Sequence, residues 1–177
     1  HVRFLDLAKV YCIQHEKEDV GRGSIPIYHS HLEHWGISAD ELEAVADANA
    51  PILMKSFISG MDSILTEMGA LPEDLSEPMP EGLSSVYVMS NISRSSGAGT
   101  ICYPNVLKGF SEKADRDIII LPSSIHEVIL IPSSENDNME EFRNMVHSVN
   151  TTTLEPEDFL SDNVYIYRRD TGQIEIA

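Results

Sequence analysis

Residues 117–132 read DIIILPSSIHEVILIP and constrain the fold more than any other stretch. Two apolar runs, 118–121 and 128–131, flank a polar knot of Ser123, Ser124, His126 and Glu127. β-Branched residues in short runs broken by Pro and Ser read as two strands joined by a tight connection. Neither run alternates, so both sheet faces are expected to be covered there. Each buried Ile or Leu contributes about 1.5–3 kcal/mol. This hairpin is therefore expected to anchor its half of the chain.

The remaining elements arrange themselves around that hairpin. The apolar stretch 4–13 reads as a strand, with a helical reading open over 5–11. Gly21-Arg22-Gly23 gives a turn and 24–29 a returning strand, placed at an edge or bulge by Pro26. Ser38 and Glu41 form a capping box before Leu42, Val45, Ala46 and Asn49, and Pro51 is expected to end that helix. A second helix is expected over 59–68, striped by Met61, Ile64, Leu65 and Met68 and stopped by Gly69. A methionine stripe at this spacing is core filler.

Strands are expected over 86–90 and 99–103. A helix follows from near Pro104 with Val106, Leu107, Phe110 and Ala114 inward. Asn138 with Glu141 opens another helix, striped by Met139, Phe142, Met145, Val146 and Val149. Pro156 starts a helical turn through 160. Segments 164–167 and 173–176 close as a hairpin over Asp170-Thr171-Gly172. Paired strands separated by helices favour an α+β fold with a mostly antiparallel sheet and helices packed on it.

Between the helix at 59–68 and the strand at 86–90, periodicity disappears. Pro72, Pro78 and Pro80 mingle with Glu73, Asp74, Glu77 and Glu81. The expected organisation is two closely packed lobes, 1–69 and 85–177, joined by a Pro/acid-rich linker over 70–84.

With 177 residues, 42% of them hydrophobic, the chain can form a core without staples. Its formal charge of −17 disfavours nucleic acid, which demands clustered Lys and Arg, and disfavours anionic membrane surfaces. The acids are scattered over separate elements, as on a solvated, self-repelling surface, although they also suit a basic protein partner. No apolar run reaches the roughly 18 residues of a membrane span. Cys12 and Cys102 are far apart in apolar runs and read as buried free thiols, pointing to a reducing cytoplasm. On that basis the sequons at Asn91 and Asn150 carry no meaning. A start at His1 rather than Met reads as a fragment, with a segment missing before it.

Few residues offer chemistry. His126 as base with Ser123 or Ser124 as nucleophile, and Glu127 beside them, would make a hydrolase-like site. No G-x-S-x-G elbow accompanies them, and strand alternation sends His126 and Glu127 to opposite faces. Turn chemistry explains the same residues: hydroxyls satisfying backbone groups in a tight connection. His126-Glu127 lacks the second histidine of H-E-x-x-H, because Leu130 stands there.

His29, His31 and His34 sit beside Trp35 and offer an alternative metal set. A strand would bring His29 and His31 to one face, and a helix His31 and His34, so no single element gathers all three. Gly97-Ala98-Gly99 is half a dinucleotide fingerprint, without the third glycine or a following helix, and reads as a β-connection. Asn91 and Arg94 precede it and are candidate ligand contacts, with an Asx turn as the other reading of Asn91. No cofactor is implied.

Several stretches, taken together, resemble DUF5688, an uncharacterised bacterial family of the Firmicutes. They are FLDLAKVY at 4–11, HLEHWGISADELEAVADANAP at 31–51, VYVMSN at 86–91, GAGTICYPNVLKGFSEK at 97–113, ILPSSIHEVILIP at 120–132 and LSDNVYIYRRDTGQI at 160–174. The likeness spans nearly the whole chain, and the 120–132 motif is its most specific part. A looser resemblance links the chain to DUF1444 through the opening strand, the W-G-I-S helix and a late strand pair. Neither resemblance implies catalytic or ligand residues. The expectation is a cytoplasmic, non-catalytic α+β module that binds a protein partner or itself. A hydrolase using His126 and Glu127 with Ser123 or Ser124 is the alternative.

Overall fold

A computed structural model describes residues 1–17, 21–67, 69 and 85–177. The linker expected over 70–84 lies outside the described residues. So does Met68 of the expected stripe. Backbone proximity divides the chain into two compact units, His1–Leu53 and Met54–Ala177.

The first unit begins with two hairpins rather than one long strand. β1 (Val2–Phe4) pairs antiparallel with β2 (Leu7–Lys9) across a two-residue turn in which Leu5 takes φ 55. β3 (Cys12–Lys17) pairs with β4 (Gly21–Pro26), from Cys12 opposite Pro26 to Lys17 opposite Gly21. Pro26 ends a strand of a two-stranded sheet, where every strand is an edge and a missing N–H costs no ladder bond. The returning strand stops there. His29, expected in it, instead opens α1 (His29–Trp35), which Gly36 terminates at φ 67.

α2 (Ala39–Leu53) starts on the expected capping box. Ser38 N–H donates to Glu41 Oε2 at 2.8 Å, and Glu41 N–H to Ser38 Oγ at 3.1 Å. Pro51 does not end this helix, which runs on to Leu53. So near the C-terminus, proline forfeits one backbone bond and leaves the last turn intact. Lys9 of β2 forms an ion pair with Glu43 of α2. Cys12 is exposed rather than buried, and neither cysteine is bonded to another. Among the described residues of this unit, only Leu32 is buried.

The second unit is built on a six-stranded antiparallel sheet in the order β10-β9-β7-β8-β6-β5. Its elements are β5 (Ser56–Gly60), α3 (Met61–Glu67), β6 (Tyr87–Asn91), α4 (Val106–Ala114), β7 (Ile118–Ser124), β8 (Glu127–Pro132), α5 (Met139–Thr152), β9 (Tyr165–Arg168) and β10 (Gln173–Ile176). The unit also contains the 3-10 turns Gly97–Cys102 and Pro156–Asp158. The α+β class with an antiparallel sheet is thus as expected.

Three local expectations change. Ser59 and Gly60 belong to β5, so the helix expected from 59 begins at Met61. The strand expected over 99–103 is a 3-10 turn. A distant partner decides it, because Ala98 N–H donates to Ile125 O at 3.2 Å, and Thr100 Oγ1 then closes the turn locally on Gly97 O at 2.6 Å. Finally, β7 is covered on both faces but β8 is not: Val128 and Leu130 are buried while Ile129 and Ile131 are half-buried.

The register explains the last point. Ile119 lies opposite Ile131 and Leu121 opposite Ile129, all on the face where α5 packs. There Ile119, Leu121, Val164 and Ile166 meet Val146 of α5. α5 covers the β7 side of that face fully and the β8 side partly. The other face carries Ile118, Ile120, Val128, Leu130, Met89 and Tyr165, all buried. Phe110 of α4 meets Tyr87 there, ring centroids 4.9 Å apart at 73°.

Pro122 is tolerated in a central strand because β9 pairs only with residues 118–120 of β7, and the ladder to β8 is irregular between Pro122 and Ser124. At the other end, Asp117 accepts from Arg169 N–H at 2.9 Å and Arg168 Nη1 at 3.1 Å. These contacts hold its carboxyl below the ordinary carboxylate value. The clasp is therefore intact above that range, and its contribution is lost as pH falls through the depressed value.

Candidate functional site

The polar residues of the β7–β8 corner are each engaged, but by separate partners, two of them backbone N–H groups. His126 sits in the two-residue connection after Ser124. Its Nδ1 accepts from Ser96 N–H at 3.1 Å. A ring nitrogen that accepts carries no proton, so the proton of the neutral ring lies on Nε2. That nitrogen donates to Asp158 Oδ1 at 3.0 Å. Asp158 also offers its carbonyl to Ile125 N–H at 2.9 Å. His126 O accepts from Ser90 Oγ at 2.7 Å. The corner is thus tied to β6, to the 97–102 turn and to the 156–158 turn at once.

Neither serine bonds the imidazole. Ser124 Oγ accepts from the backbone N–H of His126 at 3.0 Å. Ser123 Oγ reaches Glu127 Oε1 at 3.5 Å, the outer limit of a hydrogen bond. The four residues share a corner without a nucleophile–base bond.

Asn91 and Arg94 are close in chain but separate in role. Asn91 is buried, and its Oδ1 accepts from Ser93 N–H at 3.0 Å, Ser93 Oγ at 2.7 Å and Ser95 N–H at 3.4 Å. Its amide donates to Ser95 O at 2.8 Å. This is the Asx-type reading, with the side chain filling its own loop. Arg94 lies over the Phe57 ring, 5.8 Å from the centroid, and 3.6 Å from Glu67. Gly97 lets the loop approach: a Cβ there would stand 2.4 Å from His126 O and 2.8 Å from Asn91 N. The N–H groups of Ala98 and Gly99 donate to Ile125 O and Ser96 O, so they do not form a phosphate cradle.

The histidine trio disperses. α1 begins at His29, which puts His29 and His31 two residues apart on a helix and on different faces. His31 Nδ1 accepts from Tyr28 N–H at 3.1 Å, and its ring stacks on Trp35 at 5.6 Å. Among the described residues, no three His, Cys, Asp or Glu side chains gather into a metal-ligand set.

The second unit also carries a groove of about 580 Å³ that the sequence reading did not foresee. Its floor is the β5 edge, at Ser56, Ile58 and Gly60, with Tyr87 of β6. Its wall is α4, at Val106, Gly109, Phe110 and Lys113. Gly109 occupies a helix interior, where glycine costs about 0.5–1 kcal/mol relative to alanine. A Cβ at Gly109 would meet nothing within 4 Å. A glycine inside an amphipathic helix, VLKGFSEKA, was the one available signal of this groove in the sequence.

The family described as a family of unknown function (DUF5688) matches residues 1–169. The chain belongs to DUF5688. The match takes in the whole of the first unit and the second as far as Arg169, which includes the β7–β8 corner and the groove. No curated protein and no solved structure matches the chain. No described helix of this DUF5688 member is long and apolar enough to cross a membrane.

Proposed function

We propose that this DUF5688 chain is a cytoplasmic, non-catalytic binding module that engages a protein partner. The observation that carries the reading is the engagement of both His126 ring nitrogens, Nδ1 by Ser96 N–H and Nε2 by Asp158. A general base needs a free lone pair within reach of the proton it removes. The His126 lone pair is spent on Ser96, and no serine hydroxyl is bonded to the ring. The corner therefore acts as a brace that ties three segments together, and what stays open is a groove. Two cysteines held outside any disulfide suit a reducing compartment. A Firmicutes origin and the looser kinship with DUF1444 belong to the same reading.

The test is a panel of ester, amide and phosphate model substrates, run with the wild-type chain and His126→Ala. Both are expected to match the buffer rate, while His126→Ala lowers thermal stability. A hydrolysis rate that vanishes in His126→Ala, in protein that is still folded by circular dichroism, would overturn the proposal.

A further inference from the structure

Resting on the reading of the chain as a binding module, we infer that the β5–α4 groove takes an extended peptide. The peptide adds as a strand to β5, with apolar side chains at alternate positions and a carboxylate meeting Lys113.

The backbone of β5 has a paired side and an open side. Ile92 N–H donates to Lys55 O at 2.9 Å, and Met61 N–H to Val86 O at 2.8 Å. In an antiparallel ladder, hydrogen-bonded pairs recur every second residue. Phe57 and Ser59 therefore bond inward to Ser90 and Val88, in the observed register. Ser56 and Ile58 turn their N–H and C=O groups outward, away from β6. β5 ends the strand order, and these groups have no backbone partner among the described residues. An unpaired edge is the template that strand addition uses.

Ser56, Ile58 and Gly60 are opposite Asn91, Met89 and Tyr87 and share the α4 face. A strand laid beside β5 sends every second side chain into the space under α4. That space is walled by Val106 and Phe110, and it is open at Gly109, where the helix backbone is bare. Alanine would favour the helix, and nothing packed nearby excludes it. Glycine there lets another backbone come close.

Lys113 lines the groove and makes no ion pair among the described residues, in a chain of formal charge −17. A lone cation at the end of an apolar slot selects a carboxylate.

The experiment pans a phage-displayed library of random short peptides against the wild-type chain. Fluorescent copies of the enriched peptides are then titrated. Enriched sequences are expected to alternate apolar residues and to carry one acidic residue. Gly109→Leu fills the slot, and Lys113→Glu reverses the charge. Ser56→Pro deletes an outward N–H. Each is expected to weaken binding on the order of tenfold or more, while Gly109→Ala keeps the fold and serves as the helix control. No enriched peptide, or peptides that bind all three variants as tightly as wild type, would overturn the inference. Self-association of the wild-type chain that Gly109→Leu abolishes would also overturn it, because the occupant is then a second copy. The hydrolysis panel is independent: silence there with failed peptide binding rejects the groove alone. A His126-dependent rate rejects the module reading itself.

Discussion

Ile119→Ala is expected to lower the unfolding free energy of the second unit by about 3–4 kcal/mol. Ile119 has no solvent exposure and packs with Leu121, Val146, Val164 and Ile166. Truncation removes the transfer free energy of the lost atoms and leaves a cavity, because a central strand fixed by neighbours on both sides cannot collapse into it. Val149→Ala makes the contrast. Val149 lies on α5 with 40% of its surface exposed, so its loss should cost under about 1 kcal/mol. The measurement is urea denaturation followed by far-ultraviolet circular dichroism, together with exchange of the β7 amides. Fluorescence of the one tryptophan would mislead, since Trp35 lies in the first unit. A cost for Ile119→Ala no greater than that of Val149→Ala would remove β7 from the centre of the fold.

Gly97→Ala is expected to cost about 3 kcal/mol, at the upper end of what one added methyl does in a packed site. The new Cβ would stand 2.1 Å from Ser90 Oγ, 2.4 Å from His126 O and 2.8 Å from Asn91 N. Two of these are backbone atoms, held by the β5–β6 and β7–β8 ladders, so relief requires moving strands rather than a side chain. The same methyl displaces Ser90 Oγ from His126 O and leaves a carbonyl without its donor. Gly99→Ala is the matched control. A Cβ there meets nothing within 4 Å, so its effect should stay within about 0.5 kcal/mol. Thermal unfolding of the pair by circular dichroism checks this. Equal melting temperatures for the two variants would contradict the close approach at Gly97.

The sequence made the β7–β8 hairpin legible because both strands are apolar, short and separated by turn formers. The helices at Ala39–Leu53 and Met139–Thr152 were legible through their caps, Ser38 with Glu41 and Asn138 with Glu141. Where reading failed, distant partners decide. GAGTIC resembles a strand locally, yet the bond from Ala98 to Ile125 coils it into a 3-10 turn. The methionine stripe hid β5, because SFISG is too short to declare a strand without β6 beside it. The half-burial of Ile129 and Ile131 depends on where α5 lies, which no local pattern encodes.

The candidate site divides in the same way. His126 and its serines stood out as polar residues at a rigid corner. The groups that fix the ring, Ser96 and Asp158, lie 30 and 32 residues away and carried no signal. The groove was illegible because it depends on β5 being the last strand, and strand order is a property of the whole sheet. Gly109 alone hinted at it.

Nitrogen-detected NMR of the His126 ring reads out whether this histidine braces the corner instead of performing chemistry. With uniformly labelled protein near neutral pH, the account predicts one tautomer: Nε2 protonated, and Nδ1 unprotonated with a coupling across the bond from Ser96 N–H. A protonated Nδ1, or an averaged ring whose nitrogens exchange freely with solvent, would contradict it.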